Sequence, residues 1–218
     1  MRRRGPLSDD GRLEQPEHYF TARPSTPSEP GRIAAKVRGL RLAFTTDRGV
    51  FSHGRVDRGS RLLAENVAIG DSDEVLDWGC GWGLVGIVVG RIWPDAHVTM
   101  IDVNERACDL ARANARANKA RNVEVVCGDA AEVLAERGFD AILLNPPISA
   151  GRKQVLAVFD WCAAHLAEGG TLWMVAATRK GAKTLGRLLG ERFRDVQQVA
   201  LGGGFRVYAA TEPLQGGS

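Results

Sequence analysis

The segment Asn145-Pro146-Pro147-Ile148 follows the apolar run 141–144 and has the residue types needed to hold a planar NH2 group. Two consecutive prolines remove two backbone donors and stiffen the turn, so carbonyl oxygens are left free and fixed. The Asn145 side-chain oxygen and the Pro146 carbonyl oxygen can accept the two NH2 protons, which aims the nitrogen lone pair at an electrophile such as a sulfonium methyl group. These acceptors also stabilise the positive charge that develops on the nitrogen. The segment therefore predicts a reaction centre, with a rigid strand-to-helix turn as the structural alternative.

A glycine-rich turn earlier in the chain predicts a ligand site. Gly79, Gly81 and Gly83 follow a short strand and open a helix, and Asp77 lies just before them. Glycines allow a sharp turn and a close approach of the backbone to a ligand, and the helix N-terminus favours a negative group. A dinucleotide site looks similar, but the glycine spacing departs from its fingerprint. Because open α/β sheets bind ligands beyond the carboxyl ends of their strands, we expect the ligand there, with a purely structural turn as the alternative.

Two more carboxylates follow predicted strands. Asp102 ends the strand 97–102, where a carboxylate can accept both ribose hydroxyls of an adenosine, and a surface or capping aspartate is the alternative. Asp129 follows the strand 123–127 and is also a candidate N-cap of the next helix. Together with the glycine-rich turn, these residues predict a site for an adenosine-containing cofactor.

Strands and helices alternate from about residue 73, and their order predicts the sheet that positions these side chains. The predicted strands are 74–77, 97–102, 123–127, 141–145, 171–177, 196–201 and 205–210. The predicted helices are 84–91, 105–120, 131–137, 152–166 and 180–192. Five strand–helix units followed by a hairpin predict an α/β fold with a doubly wound, seven-stranded, mostly parallel sheet of the Rossmann-like type. The two Ala-Arg-Ala-Asn pieces at 111–114 and 115–118 are interpreted as helix composition.

The first sixty residues have a different pattern. Five prolines in the first 31 residues predict an extended, partly disordered arm, in which the aromatic cluster His18-Tyr19-Phe20 could dock onto the domain. Period-two alternation on both sides of Gly39 predicts a β-hairpin, and a helix over 57–69 is expected to follow it. The expected domains are the arm 1–31, a hairpin extension 32–60 and a main domain 61–218.

Charge and composition limit the class of protein. Residues 1–60 hold 12 Lys and Arg against 7 Asp and Glu, a net +5, whereas the remainder holds 17 against 19, a net −2. The basic excess indicates either a solvated tail or a surface that faces phosphates. We recognise neither a long apolar run nor a secretory signal, so we expect a cytoplasmic protein with no membrane partner. The four cysteines form no C-x-x-C pair, which argues against a zinc ribbon or a thioredoxin and predicts reduced thiols in or near the core, with no metal: Cys80, Cys108, Cys127 and Cys162.

Taken in order, the four motifs resemble those of the class I methyltransferases, and more narrowly the small-domain methyltransferases of the RsmC type. The resemblance covers about residues 17 to 210 and is carried also by the segments 18–20, 24–25, 50–52, 56–57, 59–63, 151–152 and 203–207. Arg152 stands where members often have a lysine, which keeps the charge. Larger members carry a second, degenerate domain before the catalytic one, and this chain is expected to lack it. The resemblance implies that residues 61–218 form the catalytic domain and that S-adenosylmethionine is the cofactor.

The resemblance also implies roles for single residues. Asp77 would help to orient the methionine end of the cofactor, Asp102 would bind the ribose, and Asp129 would meet the adenine amino group. The implied cofactor-binding residues are Phe51, Asp77, Gly79, Cys80, Gly81, Gly83, Asp102, Val103, Asp129, Ala130 and Asn145. The implied catalytic residues are Asn145, Pro146, Pro147 and Ile148. For Phe51, a plain core position is the alternative.

The family's best-known activity is methylation of the N2 amine of a guanosine in small-subunit ribosomal RNA, so we expect RNA or a ribosomal subunit as the partner. Ile148 fits this better than an aromatic residue, which would favour adenine N6 or a protein glutamine, and it can still pack on a flipped base. Basic residues flanking the motifs are expected to reach RNA phosphates, with solvated surface as the alternative: Arg55, Arg58, Arg152 and Lys153. Rival hypotheses are methylation of adenine N6, a protein amide or a small-molecule amine, and a non-catalytic RNA-binding module. The oligomeric state stays open.

Overall fold

The computed structural model describes residues 25–214 as a seven-stranded sheet covered by helices, with a separate two-stranded hairpin at its N-terminal side. The strands are β1 Gly31–Val37, β2 Leu40–Thr46, β3 Glu74–Trp78, β4 His97–Asp102, β5 Val123–Cys127, β6 Phe139–Leu144, β7 Leu166–Ala177, β8 Phe193–Gly202 and β9 Phe205–Pro213. The helices are α1 Arg58–Asn66, α2 Leu84–Ile92, α3 Glu105–Ala117, α4 Ala130–Val133, α5 Arg152–His165 and α6 Ala182–Leu189. Short 3-10 turns occupy Ile148–Ala150 and Thr178–Lys180.

The strand order is β5-β4-β3-β6-β7-β9-β8, and β9 runs antiparallel to both of its neighbours. Strands β3 to β7 are parallel to one another. From β3 the chain builds outward to β5 and then returns to place β6 on the other side of β3. This reversal creates a crevice at the carboxyl ends of the central strands, where ligands bind in open α/β sheets. The predicted doubly wound sheet and N-terminal hairpin are confirmed.

The central strands are apolar on both faces because helices cover both sides of the sheet. Val75, Leu143 and Val175 belong to the core on one face, which includes residues of α1, α2 and α3. Leu76 and Ile142 alternate with them and belong to the core on the other face, which includes residues of α5 and α6. All five side chains are fully or almost fully buried. Two packed layers therefore hold the carboxyl ends of the strands in fixed register.

Four predicted helices differ from the observed ones by more than one residue at an end. The helices predicted to end at 69 and 120 end three residues earlier, at Asn66 and Ala117. The helix predicted over 131–137 ends at Val133, and Arg137 beyond it donates hydrogen bonds to Glu124 and to Thr99 Oγ1. A helix as short as α4 is not stable by itself, and these hydrogen bonds hold the residues after it in place of a further helical turn. The helix predicted from residue 180 begins at Ala182, because Gly181 has a left-handed φ of 83°.

The N-terminal predictions fall partly outside the described residues, since residues 1–24, with the cluster His18-Tyr19-Phe20, are not among them. The described part of the proposed arm is tied down: the buried carboxylate of Asp47 accepts hydrogen bonds from Ser28 Oγ at 2.6 Å and from Glu29 N at 2.5 Å. Asp57 caps α1, as predicted, by accepting from Ser60 N. The domain limits at residues 31 and 60 stay a prediction.

Over residues 25–214, none of the helices combines the length and the apolar character that crossing a membrane would require. Within the same range the four cysteines are free thiols, of which Cys127 is partly exposed and the others are buried.

Candidate active site

Four polar side chains lie at or just beyond the carboxyl ends of four adjacent parallel strands. Asp77 is near the end of β3, Asp102 ends β4, Asp129 follows β5 and Asn145 follows β6. The register fixes their neighbourhood, because Trp78 of β3 pairs with Ile101 of β4 and with Leu144 of β6. The structure thus gathers at one edge of the sheet the residues that the sequence had singled out one by one.

The glycine-rich turn after β3 is anchored to β4 and open toward the crevice. The N–H groups of Gly79 and Cys80 both donate to Ile101 O, at 2.9 and 3.0 Å. Gly79 and Gly81 have left-handed φ values of 72° and 55°, and a Cβ at either position would meet no atom within 4 Å. The backbone is therefore turned out toward space in which a ligand can approach it closely.

Asp77 lies beneath this turn and is only 4% exposed. Its Oδ2 accepts a hydrogen bond from Gly86 N at 2.8 Å in the first part of α2. Burial, reinforced by the nearby negative charge of Asp102, raises the pKa of Asp77 to about 7. The hydrogen bond from Gly86 N only partly offsets the cost of burying this negative charge. The carboxylate is therefore suited to a cationic ligand group, such as an amino acid ammonium, because the cation favours its ionised form.

Asp102 is held by the turn itself. Its Oδ2 accepts from Gly81 N and its Oδ1 accepts from Asn104 N, each at 2.9 Å. A carboxylate can accept about four hydrogen bonds, so the two oxygens retain capacity for two vicinal hydroxyls. Burial raises the pKa of Asp102 despite these bonds. It also raises the pKa of the buried Cys80 thiol beside it, so Cys80 lines the turn as a neutral side chain.

Asp129 is the N-cap of α4, where its Oδ1 accepts from Ala131 N at 2.9 Å. The capping interpretation is therefore confirmed. The residue is exposed, and the cap leaves acceptor capacity on the carboxylate for a ligand amino group. Phe51 is 40% exposed in the turn between the hairpin and α1, so the alternative interpretation as a core residue is wrong.

The Asn145-Pro146-Pro147-Ile148 segment forms a tight turn rather than a simple extension of β6. Pro147, with φ −75° and ψ 67°, is the centre of an inverse γ-turn in which Ile148 N donates to Pro146 O at 2.8 Å. The expectation that the Pro146 carbonyl oxygen is free is therefore wrong. Because a carbonyl oxygen has two lone pairs, it can still accept one proton of an NH2 group, now from a fixed position.

Asn145 has a partner that the sequence did not suggest. Its Nδ2 donates to Ser60 Oγ on α1 at 3.3 Å, across 85 positions of the chain. Ser60 was noticed only as part of the segment 59–63. The signal that could have found it is the cap Asp57, which fixes where the first turn of α1 begins.

The predicted RNA-binding residues Arg55, Arg58, Arg152 and Lys153 are all exposed. Arg152 and Lys153 open α5 just after the Asn145 turn, and Arg58 opens α1. Three further exposed cations follow β7 at the same edge and were missed: Arg179, Lys180 and Lys183. The segments 141–159 and 171–190 contain no Asp or Glu at all, a feature that could have been read from the sequence. Within residues 25–214, no cluster of three or more His, Cys, Asp or Glu is arranged to hold a metal ion.

A seven-stranded sheet with antiparallel β9, a glycine-rich turn after β3 and a polar turn after β6 defines the methyltransferase class of Rossmann-like folds. A sequence profile of the family described as Methyltransferase small domain matches residues 41–209. The chain therefore belongs to this family, whose cofactor is S-adenosylmethionine, and the resemblance stated from the motifs is confirmed.

The chain is also similar to individual relatives over most of its length. The uncharacterized protein YbxB of Bacillus subtilis is 38% identical over 196 residues, which are 89% of this chain and 98% of that protein. Ribosomal RNA small subunit methyltransferase C of Pseudomonas paraeruginosa is 38% identical over 198 residues, covering 86% of this chain and 58% of the relative. The T. thermophilus 16S rRNA N2 methyltransferase RsmC, solved in complex with AdoMet and guanosine, superimposes with a TM-score of 0.74 at 27% identity, over 87% of this chain and 52% of that one. This chain thus spans between half and three fifths of the length of these two ribosomal RNA methyltransferases.

Proposed function

We propose that this protein transfers a methyl group from S-adenosylmethionine to the N2 amine of a guanosine in RNA, with small-subunit ribosomal RNA as the substrate. The observation that supports this best is the pair of acceptors, the Asn145 amide and the Pro146 carbonyl, in a rigid turn beside the open glycine-rich turn. Two acceptors side by side match the two protons of a planar NH2 group. Guanine N2 is such a group.

The cofactor would lie along the carboxyl ends of β3, β4 and β5. When bound it supplies an electrophilic methyl group on a sulfonium. The buried carboxylate of Asp77 would face the ammonium of its methionine end, and Asp102 would accept the two ribose hydroxyls. Asp129 would accept from the adenine amino group, beside Val103 and Ala130, while the open backbone at Gly79 and Gly81 would allow close contact. Phe51 would lie over the methionine part.

The acceptor nitrogen would be held by Asn145 and Pro146 with its lone pair aimed at the methyl carbon. A new N–C bond forms as the S–C bond breaks, and the alkylated nitrogen then loses one proton to water. Oxygens that accept the NH2 protons stabilise the cationic nitrogen more strongly than the neutral one, so they lower the barrier rather than only bind the substrate. Pro147 fixes the turn, and the half-buried Ile148 would pack on the flipped base.

The charge of the surrounding surface supports RNA as the substrate. Positively charged side chains surround the Asn145 turn on three sides. They are Arg58 on α1, Arg152 and Lys153 on α5, and Arg179 and Lys180 after β7. None of these five makes an ion pair with a described carboxylate. Phosphate contacts would fix the orientation of the RNA, while the acceptor pair selects the base. Since such a substrate is made in the cytoplasm of a bacterial cell, we propose that compartment for the enzyme.

Mapping of modified nucleosides by mass spectrometry tests this proposal in cells with and without the gene. We expect one N2-methylguanosine of small-subunit ribosomal RNA to disappear with the gene and to return with a wild-type copy. Loss of an N6-methyladenosine, or of a methyl mark on a protein or a small molecule with ribosomal RNA unchanged, would contradict it and favour another acceptor. A purified protein that binds RNA without binding S-adenosylmethionine would indicate the non-catalytic module.

A further inference from the structure

We propose that Ser60 is a positioning residue that fixes which end of the Asn145 amide faces the acceptor nitrogen. The inference rests on the proposed function, because it assigns the orientation that this function needs. Asn145 Nδ2 donates to Ser60 Oγ at 3.3 Å. With Nδ2 bound on the α1 side, Oδ1 is the end that remains for the substrate.

Orientation matters because the two ends of an asparagine amide have opposite hydrogen-bonding character. Rotated by 180°, the side chain would present Nδ2, a donor, to an NH2 group that also donates. A donor at this place would destabilise the positive charge that develops on the acceptor nitrogen instead of stabilising it. A residue that holds the amide in one of its two orientations therefore contributes to the chemical step.

A serine hydroxyl can donate as well as accept, so Ser60 selects one amide orientation only together with the charge that surrounds it. The carboxylate of Asp57 lies in the same helical turn, where its Oδ2 accepts from Ser60 N at 2.7 Å. This negative group is on the α1 side of Asn145 and attracts the donor end of the amide. The Asp57 carboxylate therefore acts with Ser60 to direct Nδ2 toward α1 and Oδ1 away from it.

The position of Ser60 is itself fixed by close packing. A Cβ on Gly59 would lie 2.7 Å from two ring carbons of Phe205, so the start of α1 sits directly on the β8–β9 hairpin. At the other end of α1, a guanidinium nitrogen of Arg38 donates to Val67 O at 2.7 Å. The helix is thus held at both ends. The packing of Gly59 against Phe205 thus keeps Ser60 at a constant position relative to the sheet.

Steady-state kinetics on RNA with four single variants and one double variant test the proposal. Ser60→Ala should lower kcat about tenfold and leave the KM for S-adenosylmethionine unchanged, and Ser60→Thr, which keeps the hydroxyl, should restore most of kcat. Ser149→Ala is the matched control, because this exposed serine is near Asn145 in sequence and, among the described residues, has no hydrogen bond to it, so the variant should behave like wild type. Alanine is a good helix former at position 60, so loss of fold is not expected, and thermal melting checks this.

The double variant separates positioning from a general structural effect. If Ser60 acts through Asn145, the variant Ser60→Ala/Asn145→Ala should be no slower than Asn145→Ala alone. Additive losses, or an unchanged kcat in Ser60→Ala, would overturn the role of Ser60 while leaving the proposed function intact. A wild-type protein that transfers no methyl group to RNA would overturn the proposed function and this inference together.

Discussion

Asn114 of α3 and Thr45 of β2 form a reciprocal pair of hydrogen bonds: Thr45 N donates to Asn114 Oδ1 at 2.8 Å, and Asn114 Nδ2 donates to Thr45 O at 2.9 Å. One turn later, Asn118 makes the same pair with Ala43, at 3.1 and 2.8 Å. Four helical residues advance about 6.0 Å and two strand residues about 6.6 Å, so side chains four apart match alternate residues of a strand edge. The two asparagines therefore close the outer edge of β2 as a neighbouring strand would.

Asn114→Ala should destabilise the protein by about 2–3 kcal/mol. Asn114 is 2% exposed, and its loss leaves the partly buried N–H and C=O of Thr45 and the buried carbonyl of Trp82 without their partner. Urea unfolding monitored by tryptophan fluorescence measures the change. Asn66→Ala is the control. Among residues 25–214, Asn66 Nδ2 bonds only within its own helix, to Leu62 O, so this variant should cost less than about 1 kcal/mol. Equal costs for the two variants would show that the pairing with β2 does not stabilise the hairpin.

The hydrogen bonds of Asn114 and Asn118 with β2 were not predicted from the sequence. The two Ala-Arg-Ala-Asn pieces lie in α3 and at its C-cap, as their interpretation as helix composition implied. That interpretation did not include the pairing of Asn114 and Asn118 with β2, because the pairing of Asn114 depends on a strand edge 69 residues away. By contrast, Asp77, Asp102 and Asn145 could be placed together in advance. Their strands are parallel, and parallel strands bring their carboxyl ends to one edge.

Other features depended equally on tertiary contacts. The Ser60–Asn145 hydrogen bond joins residues 85 positions apart, and no local pattern encodes it. The γ-turn bond to Pro146 O is local, but the double proline did not indicate which turn would form. The chain after the short α4 is held by two hydrogen bonds that Arg137 donates, one to Glu124 of β5 and one to Thr99 of β4. Turn and helix ends were thus the least predictable parts, while the sheet and the acidic residues at its edge followed from alternation and from strand order.

The stability of the cofactor-free protein should fall with rising pH because of Asp77. Its pKa is raised from 3.8 to about 7. Between these values the unfolded chain has released the proton that the folded chain still holds, so this group lowers the free energy of unfolding by about 1.4 kcal/mol per pH unit, and the loss is complete just above pH 7. Asp77→Asn removes this contribution. The stability difference between the variant and wild type should therefore grow in favour of the variant from pH 5 to pH 7 and then level off.

Unfolding in urea at pH 5, 6, 7 and 8 measures that difference, with the exposed Asp71→Asn as the control for an unrelated charge. Ionisation of Asp77 should have the opposite effect on cofactor binding, so the affinity for S-adenosylmethionine should increase with pH. Since the ammonium of S-adenosylmethionine favours the ionised carboxylate, its Kd should decrease up to tenfold from pH 6 to pH 7, and Asp77→Asn should weaken binding at every pH. A stability difference that does not change with pH would mean that Asp77 is ionised throughout.

The cations that open α5 should contribute to RNA binding through phosphate contacts. In the double variant Arg152→Gln/Lys153→Gln, the slope of log Kd against log salt concentration should decrease by about 1 to 2, since each phosphate contact contributes about 0.7–0.9. Filter binding of a ribosomal RNA fragment at several salt concentrations gives the slope. Arg116→Gln/Lys119→Gln removes the same charge at the end of α3, toward the amino ends of the strands, and should leave the slope almost unchanged. Equal changes of the slope in the two double variants would indicate that RNA binding depends on the net charge of the protein and not on the position of these cations.

Methyl transfer by purified wild-type protein and by Asn145→Ala decides whether Asn145 holds the acceptor nitrogen. Both proteins should bind S-adenosylmethionine with similar Kd in calorimetry, since Asp77, Asp102 and the glycine-rich turn are intact in the variant. With small-subunit ribosomal RNA from cells lacking the gene, wild type should form N2-methylguanosine, and Asn145→Ala should form it at least about a hundredfold more slowly, as expected for loss of an acceptor that acts mainly in the transition state. Equal turnover by the two proteins, or a labelled product other than N2-methylguanosine, would contradict the mechanism.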